Sequence, residues 1–251
     1  MPSAYLLVSH GSHDPRPEIA MQRLAGLLHH KLEKYLPSIV SNDVAVIPDK
    51  SLVGTAYLEL NPEPLHEQIK TFSKNALALG CCSLKILPLF LLPGVHVMED
   101  IPVEVALAQQ SLDRGIKIYL QPYLGSHPGL KFLLVKQLVS MEVEGKILLA
   151  HGSRRLGSVL PVEAMATSLS AVTAYWAHPP SLESRVQELV TAGCRRIAIL
   201  PYFLFAGGIT DAIAGAQEKL KLLFPEVSFQ LADPLGTSAE LADLIWDLVE
   251  Q

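Results

Sequence analysis

Three polar residues stand where short apolar runs give out. His10 follows Tyr5 to Ser9, Glu59 lies at the end of Val53 to Leu60, and His96 comes a short Pro/Gly turn after Leu84 to Leu91. Two imidazoles and a carboxylate suit a borderline divalent ion such as Fe²⁺, Co²⁺, Ni²⁺ or Zn²⁺. Neutral imidazoles hold such an ion while leaving coordination positions open, and a neighbouring carboxylate can accept a proton as a general base. Each residue alone has a plainer role. His10 could cap the loop it opens, and Glu59 could complement the dipole of the segment after Pro62. His96, inside Leu91-Leu92-Pro93-Gly94-Val95-His96-Val97-Met98-Glu99-Asp100, is the hardest to explain by packing. His29, His30 and His66 read as solvated helix residues, and His13 and His127 as edge-loop residues.

The elements that would position the trio alternate along the chain. Tyr5 to Ser9 is continuously apolar, as a parallel strand buried on both faces should be. Leu24, Leu27, Leu28, Leu32 and Leu36 then recur at helical spacing. Val53 to Leu60 reads as strand, Glu63 to Leu79 as helix, and Leu84 to Leu91 as strand. A helix over about Ile101 to Arg114, a strand over Ile116 to Tyr123 and a helix over Leu130 to Val139 complete the series. Strands separated by helices imply right-handed crossovers and a parallel sheet. All three polar residues would then project from the carboxyl edge of one sheet.

The series then starts again. Leu6-Leu7-Val8-Ser9-His10-Gly11-Ser12 returns as Leu148-Leu149-Ala150-His151-Gly152-Ser153, and Thr55-Ala56-Tyr57 as Thr173-Ala174-Tyr175. Ile86-Leu87-Pro88-Leu89-Phe90-Leu91 returns as Ile199-Leu200-Pro201-Tyr202-Phe203-Leu204, each copy preceded by a Gly-Cys pair. Leu124-Gly125 answers Leu235-Gly236. Four blocks in one order make the halves an internal duplication, with lobes 1–142 and 143–251. Two such α/β lobes generally leave a cleft between them, and ligands sit beyond the carboxyl ends of parallel strands. The second lobe is a control inside the same chain. His151 repeats His10, but Ala177 stands at the place of Glu59 and Ile209 at that of His96. A structural role would keep all three residues in both copies. The asymmetry marks the first lobe as catalytic and the second as degenerate, with His178 beside the vacant glutamate position.

Composition sets the outer limits. The 251 residues are 49% hydrophobic, enough for one large or two smaller cores. A net charge of −5 and the lack of a basic stripe argue against nucleic acid as partner. Mean hydropathy is +0.30, yet no apolar stretch approaches the roughly 20 residues that span a bilayer. The opening Met1 to Asp14 reads as a buried strand and its loop, with no basic region typical of a signal peptide. Cys81, Cys82 and Cys194 form no CxxC pair and read as reduced, partly buried thiols. A soluble cytoplasmic protein without a membrane or nucleic-acid partner is expected, most simply a two-lobed monomer.

Val8 to Arg16, Thr55 to Leu65 and Ile86 to Pro102 resemble the signature segments of the class II chelatases of the sirohydrochlorin chelatase type, the CbiX and SirB family. The ordered set H-G-S, Y-L-E and P-L-F-L-x-x-G-x-H-x-x-x-D-I-P carries the resemblance, which covers nearly the whole chain and matches the long, duplicated members. It implies insertion of Co²⁺ or Fe²⁺, and possible Ni²⁺, into a tetrapyrrole in cobalamin or siroheme biosynthesis. His10 and His96 would handle the metal, with Glu59 assisting metal binding or proton removal. Sirohydrochlorin is rimmed with carboxylates, so Arg16, Arg154 and Arg155, just beyond the two H-G-S motifs, become candidate anchors. Ser12 and Gly94, within the motifs, join them as substrate-binding candidates. The metal is then a substrate, and no permanently bound cofactor is expected. Some members carry an iron–sulfur motif near the C-terminus; this chain has none, so no cluster is expected. The rival readings are a non-enzymatic two-lobed protein that binds a metal or small anion, and a chelatase for another ring.

Overall fold

The computed structural model describes residues 3–35, 52–112, 115–153, 155 and 157–250, with 33–35 as backbone only. Leu36, Arg114 and Arg154 lie outside the described residues. The first sheet has four parallel strands: β1 (Ser3–Ser9), β2 (Val53–Tyr57), β3 (Ser83–Pro88) and β4 (Lys117–Leu120), in the order β2-β1-β3-β4. Its helices are α1 (Pro15–Tyr35), α2 (Leu65–Ala78) and α3 (Ile101–Ser111), followed in the chain by α4 (Leu130–Leu138). The second sheet repeats the plan with β5 (Gly145–Ala150), β6 (Val172–Tyr175), β7 (Arg196–Tyr202) and β8 (Ser228–Leu231), in the order β6-β5-β7-β8. Its helices are α5 (Leu160–Ser168), α6 (Leu182–Thr191) and α7 (Gly208–Leu223), with α8 (Ala239–Glu250) last.

The registers repeat as well. Tyr57 lies opposite Ser9 and Pro88 opposite Val8, while Tyr175 lies opposite Ala150 and Pro201 opposite Leu149. The expected two-lobed α/β architecture with parallel sheets is therefore present, and the repeat extends to single residues.

In the first unit, Ala4, Leu6 and Val8 of β1 join Leu65, Ile69 and Ala76 of α2 and Ile101 and Ala108 of α3 in one core. The alternate residues Tyr5 and Leu7 are also buried, as strand alternation between two covered faces requires. Met21, Leu24, Leu28 and Leu32 form the buried stripe of α1, while Leu27 stays at its edge. Each fully buried leucine contributes about 1.5–3 kcal/mol. Cys81 packs in this core as expected. The second unit has its own core of Ile147, Leu149, Leu182, Val186, Ile197, Ile199 and Ile213.

The compact units are not collinear with the repeats. The first comprises residues 1–90, 96–126 and 237–251, and the second 91–95 and 127–236. Helix α8 thus belongs with the first unit, where it contacts α1 and β3. The Tyr5 hydroxyl donates to the Glu250 carboxylate at 3.2 Å, Lys31 pairs with Asp243, and Lys85 donates to the Val249 carbonyl. Burial, and then the Glu250 charge, push the Tyr5 phenol pKa well up. Helix α4 belongs with the second unit, where the Gln137 amide donates to the Asp233 carbonyl at 2.9 Å. Ending the chain before Ala239 should lower Tm by at least about 10 °C. Uncovering the sites of Leu241, Ile245, Leu248 and Val249 forfeits on the order of 5 kcal/mol, and each kcal/mol shifts a domain of this size by about 2–4 °C. Thermal unfolding by circular dichroism measures this; a shift under about 2 °C would mean that α8 adds little to the first core.

Candidate metal centre

His10, Glu59 and His96 leave the carboxyl ends of the adjacent strands β1, β2 and β3. Strand β2 stops at Tyr57, three residues before the expected end, but its pairing continues. The Leu58 amide donates to the Ser9 carbonyl at 2.9 Å and the Glu59 amide to the His10 carbonyl at 2.8 Å. These bonds lock the two site residues side by side. Gly11 makes the approach possible: its φ is +98°, and a Cβ there would lie 2.1 Å from the Glu59 carbonyl oxygen. Only glycine fits both the left-handed backbone and the contact.

His96 is reached differently from the expected turn. It opens a five-residue π-helical turn, His96–Asp100, that runs into α3. Pro102 sits in the first turn of α3. The wide turn places Asp100 against the histidine, with Nδ1 and Oδ2 2.7 Å apart. A carboxylate only accepts, so it selects the tautomer with its proton on Nδ1 and leaves the Nε2 lone pair for an ion.

The three side chains converge. Each offers a ligand atom within 4.8 Å of the others. His10 Nε2 is 3.6 Å from Glu59 Oε2, and the two imidazole rings meet edge to face with centroids 4.9 Å apart. Ligands about 2.1 Å from a tetrahedral ion lie about 3.4 Å apart. The His10–Glu59 separation already fits, and a pair 4.8 Å apart needs a closure of about 1.4 Å. The side chains of His10 and Glu59 are 48% and 50% exposed. Such openness suits a site that must pass an ion on, since ligands sealed in a closed shell would retain it.

The second unit keeps the frame without the chemistry. The Ala177 amide donates to the His151 carbonyl at 3.0 Å, as Glu59 does to His10, and Gly152 has φ +85°. Both histidines hold Nδ1 near the next carbonyl, at 3.3 Å in His10 and 3.1 Å in His151. Ile209, at the place of His96, is the second residue of α7, which runs as α-helix from Gly208. His178 lies against Tyr175, with ring centroids 4.6 Å apart, and its Nε2 would meet a Cβ on Gly152 at 2.5 Å. Among the described residues, His10, Glu59 and His96 alone form a three-ligand group.

The other candidates have contacts within their own segments. Ser12 Oγ accepts the Asp14 amide at 3.0 Å. The Arg16 guanidinium clasps Asp14, with contacts of 2.5 and 3.0 Å, and its hydrogen bonds hold the Asp14 carboxyl down to about 2. Gly94 falls in the 91–95 segment that clusters with the second unit, 3.7 Å from Ser153 Oγ at its Cβ position. The Arg155 amide donates to Ser153 Oγ at 3.2 Å. His66, expected to be solvated, is held: its amide and Nδ1 approach one Glu104 oxygen at 2.7 and 2.8 Å. That carboxylate caps α2, whose preceding residue Pro64 offers no side-chain cap.

Sequence reasoning passed over Asp100 as a site residue. Its signal was a histidine and an aspartate four apart at a helix start, a spacing that brings side chains together. Asp100→Asn should lower Co²⁺ affinity or insertion rate by about 10–100-fold, as loss of a partner behind a metal-binding imidazole does. Calorimetry and insertion kinetics check this, and parent values in both would reduce Asp100 to a helix-start residue.

The comparisons bear directly on this frame. The family model CbiX matches residues 4–141 and again 145–251. A sirohydrochlorin cobaltochelatase of Priestia megaterium is 24% identical over 221 residues, covering 80% of this chain and 69% of that protein. A chloroplastic sirohydrochlorin ferrochelatase of Arabidopsis thaliana is 28% identical over 163 residues, covering 60% and 68%. The structure of SirB from Bacillus subtilis with Fe³⁺ superposes with a TM-score of 0.74 at 23% identity, over 100% of this chain and 95% of that one. That likeness is one of fold. Matched twice, over almost its whole length, the chain belongs to the CbiX family.

Proposed function

We infer that this protein is a sirohydrochlorin chelatase that inserts Co²⁺ or Fe²⁺ into the macrocycle, with the metal as substrate. The observation that carries the reading is the meeting of His10, Glu59 and His96 within 4.8 Å in one unit, at the loops beyond the strand ends where parallel sheets bind ligands. Relatives that share the family and are named for cobalt and iron insertion support the reaction class.

Insertion requires stripping water from the ion and removing two pyrrole protons. His10 and His96 replace water with imidazole nitrogens and leave positions open for the ring nitrogens. Glu59, beside the ion, accepts one pyrrole proton, and an imidazole relieved of the ion as it passes to the ring accepts the other. Holding the ring over the ion converts a chance encounter into a positioned attack. Arg16 can offer its Nε/Nη2 edge to a rim carboxylate by exchanging Asp14 for it, one bidentate carboxylate partner for another.

Absorption spectroscopy of sirohydrochlorin with Co²⁺, Fe²⁺ or Ni²⁺, with and without protein, tests the reading. Protein-dependent metallation supports it. Metal uptake with an unchanged ring spectrum would leave a metal-binding protein instead.

A further inference from the structure

A metal ion enters a flat macrocycle through its face, because the ring nitrogens point inward and the ion must come down between them. A ring receiving its ion from His10, Glu59 and His96 therefore lies face-on over them, and residues beside the trio touch that face. Sirohydrochlorin carries its carboxylates on the rim, so the face itself is apolar and favours apolar contacts. One apolar residue of the first unit is exposed beside the trio in the chain: Leu60, which follows Glu59, is 53% exposed.

Leu60 is unusual on a second count. Its φ is +56°, a left-handed conformation that costs an L-residue with a branched side chain roughly 1–2 kcal/mol. Such strain persists only where the surroundings impose it, and it clusters at functional sites. Here the amides of Leu58 and Glu59 stay bonded to the Ser9 and His10 carbonyls, and the chain turns away at the next residue. Leu60 Cβ lies 3.5 Å from the place a Cβ would take on Gly11, so the side chain starts against the His10–Gly11 segment. Packing does not demand a leucine there, because half of it faces solvent. In the second unit the matching residue is His178, which is not among the positive-φ residues described. The strained, exposed leucine accompanies Glu59 and is missing where Glu59 is missing.

We propose that Leu60 is the apolar seat on which the macrocycle's face rests, and that the left-handed backbone at Leu60 keeps this side chain beside the metal ligands. The inference rests on the chelatase reading above. Its test is a set of titrations on the full chain. Fluorescence quenching gives the Kd for metal-free sirohydrochlorin, calorimetry gives the Co²⁺ affinity, and thermal unfolding gives Tm. Leu60→Asn keeps the size and tolerates a left-handed backbone but removes the apolar contact. It should weaken macrocycle binding by about tenfold, as loss of much of a leucine's burial would, with Co²⁺ affinity within about twofold and Tm equal or higher. Leu60→Met should restore binding to within about threefold of the parent. Unchanged macrocycle binding in Leu60→Asn would overturn the inference alone. So would a fall in Tm and Co²⁺ affinity together, since Leu60 would then be structural. A parent protein that binds no sirohydrochlorin would overturn the chelatase reading and this inference with it.

Discussion

Replacing His10 or His96 by alanine should slow metal insertion by at least about tenfold each, the scale of losing one positioned ligand or acid–base group, while His151→Ala should change it by less than about threefold. The contrast follows from geometry. His10 has Glu59 3.6 Å away and a second imidazole at 4.9 Å between centroids. His151 keeps the same strand and glycine but faces Ala177 and Ile209 in their places. His10 and His151 sit in matching frames, each followed by a positive-φ glycine and accepting the amide of the neighbouring strand's extension, so their alanine variants should fold comparably and a rate difference reports chemistry. Initial rates at saturating sirohydrochlorin and metal provide the comparison. Equal losses at His10 and His151 would mean that the two units share the work.

Glu59→Gln should lower the maximal insertion rate by about 10²-fold, the lower end of what a positioned base supplies, with Co²⁺ affinity within a few-fold of the parent. The substitution keeps size and a carbonyl acceptor but loses the charge and the ability to take a proton. In the proposed mechanism two imidazoles hold an ion that must soon leave, so a third strong ligand would hinder transfer. Rate and affinity must be measured as a pair. Weakened affinity with a normal saturated rate would make Glu59 a ligand, and no change in either would make it a residue of the loop alone. The backbone bond from its amide to His10 survives in either variant, so the frame is not at issue.

The duplication was legible in the chain because it is written in residue types at fixed order, and the shared register of Pro88 and Pro201 bears it out. The buried strands were legible because a strand covered on both faces leaves no room for polar alternation. What escaped were features set by contacts between distant segments. Apolar periodicity shows that α8 has a face to bury but not that β3 and α1 receive it. The π turn at His96 adds one residue to a helical repeat, too small a departure for periodicity to register, yet it brings Asp100 to the imidazole. His66 looked solvated because nothing local needs it; the capping partner, Glu104, is 38 residues away. The strand of Glu59 ends early because Leu60 turns left-handed, which a leucine in sequence gives no reason to expect.

The ion bound by His10, Glu59 and His96 should be the ion delivered to the ring. A single-turnover measurement tests it most directly. Protein loaded with one equivalent of Co²⁺ is mixed with sirohydrochlorin, and the ring's absorption is followed. The parent should transfer its cobalt in one phase much faster than Co²⁺ in buffer metallates the ring, and the His10→Ala, His96→Ala double variant should do no better than buffer. A parent that keeps its cobalt while the ring spectrum stays unchanged, or a double variant as fast as the parent, would contradict it.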